Sequence, residues 1–248
     1  MSPELDTDLA RQIAETAGRI LLELQKSGLF DGKALGKAGD RVANAFIMEA
    51  LATQRPDDAV LSEEEANDLA RCAQSRVWIV DPLDGTREYG EGRTDWAVHI
   101  ALAIDGHPTI GAVALPGLNL TLCSGSPVLV PPSPDRLRML VSRTRPASEA
   151  IAIANALDAE LVPMGSAGAK AMAVVRGEAD IYLHSGGQFE WDNCAPAAVA
   201  LAAGLHVSRI DGSALSYNNE NPYLPDLLIC SKPIAGQIIG LLAQADAA

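Results

Sequence analysis

A layered fold of mixed helices and strands is predicted by three features of this 248-residue sequence. Helical and strand periodicities alternate along the chain, with helices flanking runs of period-two patterning, as expected of sheets covered by helices. Hydrophobic residues make up 48% of the chain but aromatic residues only 4%, so the core has to be assembled from Ala, Val, Leu and Ile. A Pro- and Ser-rich stretch at 124–135, SGSPVLVPPSPD, interrupts the periodic segments. It marks a boundary between an N-terminal α+β subdomain at 1–130 and a C-terminal α/β subdomain at 131–248.

Taken in order, Leu9, Ile13, Ala17, Ile20, Leu21 and Leu24 recur at helical spacing and predict an amphipathic helix over 8–26. The segment KAGDRVANAFIMEALATQ places Val42, Phe46, Ala50 and Leu51 on a second helical face, with Asp40 at its N-cap. A short strand is expected at 77–80. From Trp96 to Ile104, large apolar residues alternate with Ala97, His99, Ala101 and Ala103, the pattern of a strand. TIGAVALPGLNLTLCSG then predicts two strands around a turn at Pro116 and Gly117. Beyond the boundary come a strand at 136–142, a helix near 147–157, a Gly-rich turn at MGSAGAK, a helix through Arg176 and a strand at ADIYLH. Asp192 opens a further helix, which Gly204 closes as its C′ residue.

The net charge of −13 repels phosphate at long range, which disfavours non-specific binding to nucleic acid or to anionic membranes. An anionic substrate would need local cations or metals to reverse that field. The longest apolar stretch, Ala195 to Leu205, contains Pro196 and Gly204 and is far shorter than a membrane span. The acidic N-terminus lacks the basic and apolar segments of a signal peptide, so a cytoplasmic location is expected. Cys72, Cys123, Cys194 and Cys230 form no C-x-x-C pair and are expected to be buried free thiols.

The segment VWIVDPLDGTREY sets Asp81 and Asp84 three positions apart at the exit of an apolar run. Two carboxylates about 4 Å apart repel by roughly 4 kcal/mol at an effective dielectric of 20. Protonation, a basic side chain or a hard cation can compensate, and a tightly capped turn is the simpler alternative. Clustered hard oxygens suit Mg²⁺, with the Leu83 carbonyl as a further donor and Gly85 permitting the tight turn. Glu63 to Glu65, in VLSEEEAND, and Glu190 and Asp192, in FEWDNCAP, add further acids. A glutamate run is ordinarily a solvated face, and an aspartate before an Ala-rich helix is ordinarily a cap.

The ordered set Gly39-Asp40, Ser62-Glu63-Glu64, Asp81-Pro82-Leu83-Asp84-Gly85-Thr86 and Trp191-Asp192 resembles the inositol monophosphatase-like family of Mg²⁺-dependent, lithium-sensitive phosphatases. The resemblance implies a five-layer αβαβα sandwich with the metals held where the two sheet regions meet. By position it makes Glu63, Asp81, Asp84 and Asp192 metal ligands, with the Leu83 carbonyl beside them, and Asp40 and Thr86 the pair that orients the attacking water. It further implies two or three Mg²⁺ ions, with Mn²⁺ as a substitute and Li⁺ as an inhibitor, hydrolysis without a phosphoenzyme, and a homodimer.

The continuation Thr86-Arg87-Glu88-Tyr89 is similar to the branch of the family that removes the 3′-phosphate from 3′-phosphoadenosine 5′-phosphate (PAP), with PAPS as a second substrate and a role in sulfate assimilation. This resemblance implies that Gly85 and Thr86 lie against the scissile phosphate. Because metals alone would leave the second phosphate of such a substrate unmatched, Arg87, Arg143 and Lys170 are candidate cations for it, with Ser166 as a further contact near Lys170, and Tyr89 or His184 is available to the adenine. Inositol 1-phosphate or fructose 1,6-bisphosphate hydrolysis is the alternative within the same chemistry, and a non-catalytic nucleotide sensor the alternative outside it.

Overall fold

The computed structural model describes residues 3–246. Helices α1 (Pro3–Lys26) and α2 (Gly32–Gln54) pack on one another and on the first sheet. Asp40 therefore lies inside α2, and its expected place as N-cap is corrected: Asp31 holds that position. The helix starts earlier because KALGKA is largely helix-forming. Its Gly39 is needed for close approach, since a Cβ there would stand 2.9 Å from both Leu83 and Tyr89 side chains.

The first sheet has the order β1 (Ala59–Ser62), β2 (Arg76–Asp84), β3 (Ala97–Ile104), β4 (His107–Leu115), β5 (Leu120–Cys123). Only the β1–β2 pairing is parallel. Strand β2 runs through the Asp81–Asp84 motif instead of stopping at Val80. Its register against β3 pairs Asp81 with His99 and Asp84 with Ala97, with an irregularity between them at the Pro82 step. Such a break in the ladder re-aims side chains at a sheet end. A single short helix, α3 (Thr86–Gly90), follows directly, with Gly85 left-handed at φ 86° before it.

Alternation sorts the sheet's residues onto two faces. Trp78, Val80, Val98, Ile100 and Leu102 join Ala14, Ala17, Leu21, Ala43 and Ile47 of α1 and α2 in one core. Val77, Ile79, Ala97, Ala101, Ala103 and Val113 face the opposite way, into a second core built with α5 (Ala167–Val175) and α6 (Glu190–Ala202).

The second sheet closes that core from the other side. With β6 (Arg138–Ser142), β7 (Glu160–Met164), β8 (Ile181–Phe189), β9 (His206–Ser208) and β10 (Tyr223–Cys230), its order is β7-β6-β8-β10-β9. Tyr182, Leu227 and Ile229 face inward. Met139, Val141, Ile181, Leu183, Leu228 and Cys230 face outward, onto α4 (Ser148–Ala156) and α7 (Lys232–Asp246). The layers are thus helices, sheet, helices, sheet, helices, the expected five-layer sandwich. The central core draws on residues from both sides of the 124–135 stretch.

Strands β7, β9 and β10 and helix α7 do not stand out in the sequence. Pro163 and Pro225 interrupt the strand patterns, the latter where the β8–β10 register shifts, while β9 has only 3 residues. Gly236 and Gly240 weaken the helical signal of α7. Gly204 has a φ of 83°, as its C′ position after α6 requires. Cys123, Cys194 and Cys230 are buried and Cys72 half-buried, all as free thiols. No helix among the described residues is long and apolar enough to cross a membrane.

Candidate active site

Asp81 and Asp84 leave the end of β2, and Asp192 projects from the first turn of α6. One carboxylate oxygen from each lies within 4.8 Å of the others. Sequence distance hides this meeting, and the middle helix layer creates it by bringing α6 under the first sheet. Asp192 is not the cap residue of α6. That position is Phe189, whose backbone N–H donates to Asp192 Oδ2 at 2.6 Å and fixes the carboxylate.

Asp84 is held most firmly. The hydroxyl of Ser166 donates to its Oδ2, as does Gly168 N–H at 2.6 Å, while Ala167 N–H reaches Oδ1 at 3.1 Å. The buried His99 ring stands 3.2 Å from Oδ2. Burial opposes ionisation of Asp84, but His99, Ser166 and Gly168 outweigh it and hold the group at about 2. Its neighbours go the other way. Burial and the Glu63 and Asp84 charges push Asp81 well above the carboxylate range, and burial with Asp84 pushes Asp192 up to about 6. Glu63 follows β1, its N–H donating to Val80 O at 3.2 Å. It is exposed at the rim, yet the surrounding protein and Asp192 raise its carboxyl to about 7. This is an all-oxygen, electrostatically frustrated set, and a hard cation is the partner that relieves it.

Asp40 and Thr86 meet beside this cluster. Thr86 Oγ1 lies 3.4 Å from Asp40 Oδ1 and 3.1 Å from Leu83 O, so the Leu83 carbonyl faces the same space. Burial, and then the charge of Glu64, lift Asp40 to about 7. The segment carrying Glu63 is tied back to α2, since Ser62 Oγ donates to Asn44 Oδ1 at 2.8 Å and Asn44 Nδ2 to Glu65 Oε1 at 2.7 Å.

The expected cations are arranged differently. Lys170 is buried in α5 and donates to Ser166 O at 2.6 Å and Gly165 O at 3.3 Å, with its ammonium over the Tyr182 ring. Arg143 is paired with Glu88 at 2.9 Å and Glu91 at 2.8 Å, and Arg87 with Glu91 at 2.9 Å. All three border a cavity of about 450 Å³ that Ser166 and Arg145 also line. Ser166 caps α5, its Oγ accepting from Ala169 N–H at 2.9 Å, so its hydroxyl proton and lone pair are both engaged within the protein. Tyr89 is corrected as an adenine contact: its ring is fully buried against Trp96 and its hydroxyl donates to Leu21 O at 2.7 Å. His184 is half-buried, with Nε2 3.1 Å from Gly187 O. Cys194 is buried, and burial pushes its thiol well above the usual range.

Sequence reasoning did not single out His99, Arg145 or the amides of Ala167 and Gly168. A histidine on the small-residue face of an otherwise apolar strand was the available signal for the first.

Comparison with known proteins places the chain in a family. The model of the inositol monophosphatase family matches residues 4–246. The 3′-phosphoadenosine 5′-phosphate phosphatase of Mycobacterium leprae is 49% identical over 254 residues, covering 96% of this chain and 94% of that protein. The 3′(2′),5′-bisphosphate nucleotidase CysQ of Escherichia coli K12 is 34% identical over 75% of this chain and 81% of its own length. The crystal structure of CysQ from Bacteroides thetaiotaomicron superposes with a TM-score of 0.77 at 25% identity, over 92% of this chain and 97% of that one. With its five layers and its acidic centre at the end of β2, the chain belongs to the inositol monophosphatase family.

Proposed function

We propose that the protein is a Mg²⁺-dependent 3′(2′),5′-bisphosphate nucleotidase that hydrolyses the 3′-phosphate of PAP to give AMP and phosphate, and PAPS to adenosine 5′-phosphosulfate. The observation that carries the reading is the meeting of the Asp81–Asp84–Asp192 oxygens with the Asp40–Thr86 pair, in a chain 49% identical to a phosphatase named for PAP.

In this reading Glu63, Asp81, Asp84, Asp192 and the Leu83 carbonyl hold the cations. When bound, these ions neutralise phosphoryl charge and polarise water. The protein's own groups do the rest. Thr86 Oγ1 has one proton and two acceptors within 3.4 Å. Donated to Asp40, that proton leaves the hydroxyl lone pairs free to accept from a water and aim it at phosphorus. With its affinity for protons tuned to about 7, Asp40 is matched to the task near neutral pH. The water oxygen bonds to phosphorus as the ester P–O bond breaks, its proton passing through Thr86 Oγ1 to the Asp40 carboxylate, and the departing 3′-oxygen takes up a proton from solvent water. Gly85 and Thr86 lie beside the scissile phosphate.

The basic cavity supports a substrate with a second anionic group. Arg87, Arg143, Arg145, Lys170 and Ser166 border it next to Asp84, and guanidinium forks suit phosphate. Inositol 1-phosphate has no second phosphate to place there. A cytoplasmic setting, read from the sequence, and lithium inhibition, a role in sulfate assimilation and a homodimeric state, by family resemblance, belong to the same proposal.

Phosphate release from PAP, inositol 1-phosphate and fructose 1,6-bisphosphate, each with Mg²⁺, with EDTA and with Li⁺, tests it. Strong preference for PAP, abolished by EDTA and reduced by Li⁺, is expected. Equal kcat/KM on all three would replace it with a broad phosphatase, and no turnover with a sensor.

A further inference from the structure

Strand β3 presents small residues, Ala97, Ala101 and Ala103, to the middle helix layer, and His99 stands among them fully buried. A ring in that position requires a specific reason, because a buried imidazole without partners is costly. It has two neighbours. Nδ1 lies 3.0 Å from Trp191 O, and Nε2 lies 3.2 Å from Asp84 Oδ2. Both neighbours are acceptors; the ring is aligned for a hydrogen bond at Trp191 O, while Nε2 meets Asp84 Oδ2 as a close polar contact outside hydrogen-bond alignment. One ring thus spans the gap between the carboxylate at the end of β2 and the backbone immediately before Asp192 on α6. Gly168, in α5, shares the constraint: a Cβ there would fall on His99 Nε2.

We propose that His99 is a positioning residue for the cation site, setting the separation of Asp84 and Asp192 by bridging Asp84 Oδ2 and Trp191 O. The inference rests on the reading of those carboxylates as cation ligands. With Oδ2 taken by Ser166 and Gly168 and crowded by the His99 ring, Oδ1 has a single donor in Ala167 N–H and is the oxygen with lone-pair capacity left for an ion. Partners behind metal ligands ordinarily change affinity by about 10- to 100-fold when removed.

The test measures Mn²⁺ binding directly, by electron paramagnetic resonance of free ion, on the intact protein without substrate. His99→Ala is expected to weaken Mn²⁺ by about 10-fold or more, with His99→Gln, whose amide can donate to Asp84, recovering part of the loss. Gly168→Ala keeps the ring but displaces it, and should weaken binding as well. Because the added methyl fits the space the ring vacates, the double variant should bind no worse than His99→Ala alone. Wild-type Mn²⁺ affinity in His99→Ala, at a temperature where circular dichroism shows it folded, would overturn the proposal by reducing the ring to a packing role. Multiplying losses in the double variant would also overturn it, since the two positions would then act independently. Absence of Mn²⁺ binding by the wild-type protein itself would overturn the cation reading together with this inference, and the wild-type measurement tells that failure apart.

Discussion

Asp40 illustrates how one residue's chemistry depends on where its helix begins. As a cap it would be solvated and acidic. Inside α2, against Thr86 and near Glu64, it is raised to about 7. Asp40→Asn keeps the shape but cannot accept the proton, and is expected to lower kcat on PAP by about 10²- to 10⁴-fold while Mn²⁺ binding persists; equal loss of both would show a structural role instead. The same raised carboxyls set a pH signature for the EDTA-treated protein. Asp40 and Glu63 near 7 and Asp192 near 6 retain protons in the fold that the unfolded chain releases near 4. The folded state then binds more protons between about pH 4 and 7, so stability is fully present below that window and is lost as pH rises through it. Asp84, held at about 2, has the opposite sign, its contribution being lost only as pH falls below about 4. Thermal melts in EDTA should decline from about pH 4 to 7, less steeply in Asp40→Asn, and millimolar Mg²⁺ should restore the melting temperature at the alkaline end. A flat profile in EDTA would contradict the frustrated-carboxylate picture.

At the scale of elements, the N-terminus of α5 is where the site is clamped. Ser166 caps this helix with a φ of 53° and a ψ of 135°, a backbone state in which glycine is at ease and other residues are strained. Ser166→Ala loses the cap, at about 1 kcal/mol, as well as the hydrogen bond to Asp84, and keeps the strain. Ser166→Gly loses the same hydroxyl but relieves the strain and caps nearly as well. The glycine variant should therefore melt higher than the alanine variant by calorimetry, although both weaken Asp84; the reverse order would place the stabilisation in the side chain alone. None of this was visible in MGSAGAK, where only a turn and a following helix could be read. What was legible had a period or a fixed local order: α1, β3, the β4–β5 turn, α6 with its closing glycine, and the DPLDGT segment. What was not legible depended on partners distant in sequence. The extension of β2 to Asp84 comes from pairing with β3, and β10 tolerates Pro225 because its ladder shifts register there. The inward position of Lys170 in α5 likewise needs Tyr182 and the Gly165 and Ser166 carbonyls.

At the scale of the whole molecule, the scarcity of aromatic residues becomes a geometric requirement. Helices α5 and α6 lie between two sheets, so both of their faces must approach a sheet closely. Ala195, Ala197, Ala198 and Ala200 of α6 and Ala97, Ala101 and Ala103 of β3 are the small residues that permit it. One close approach of helix to sheet is at Gly111 of β4. A Cβ there would stand 2.5 Å from Ala195 O and 2.8 Å from the Ala198 methyl, both on the helix that carries Asp192. Because backbone cannot yield as a flexible side chain does, Gly111→Ala should push α6 away from the sheet, at about 1 to 3 kcal/mol of overpacking strain. The displaced helix carries the only candidate ligand on that side of the middle layer among Asp81, Asp84 and Asp192. Gly111→Ala is therefore expected to lower both the melting temperature and the affinity for Mn²⁺, although residue 111 is not among the site residues. Two carbons added on the opposite face, Ala112→Val, press on α1 and should lower the melting temperature while leaving Mn²⁺ affinity within about twofold. If both variants lost affinity in proportion to stability, the site would be responding to global loosening and not to the position of α6.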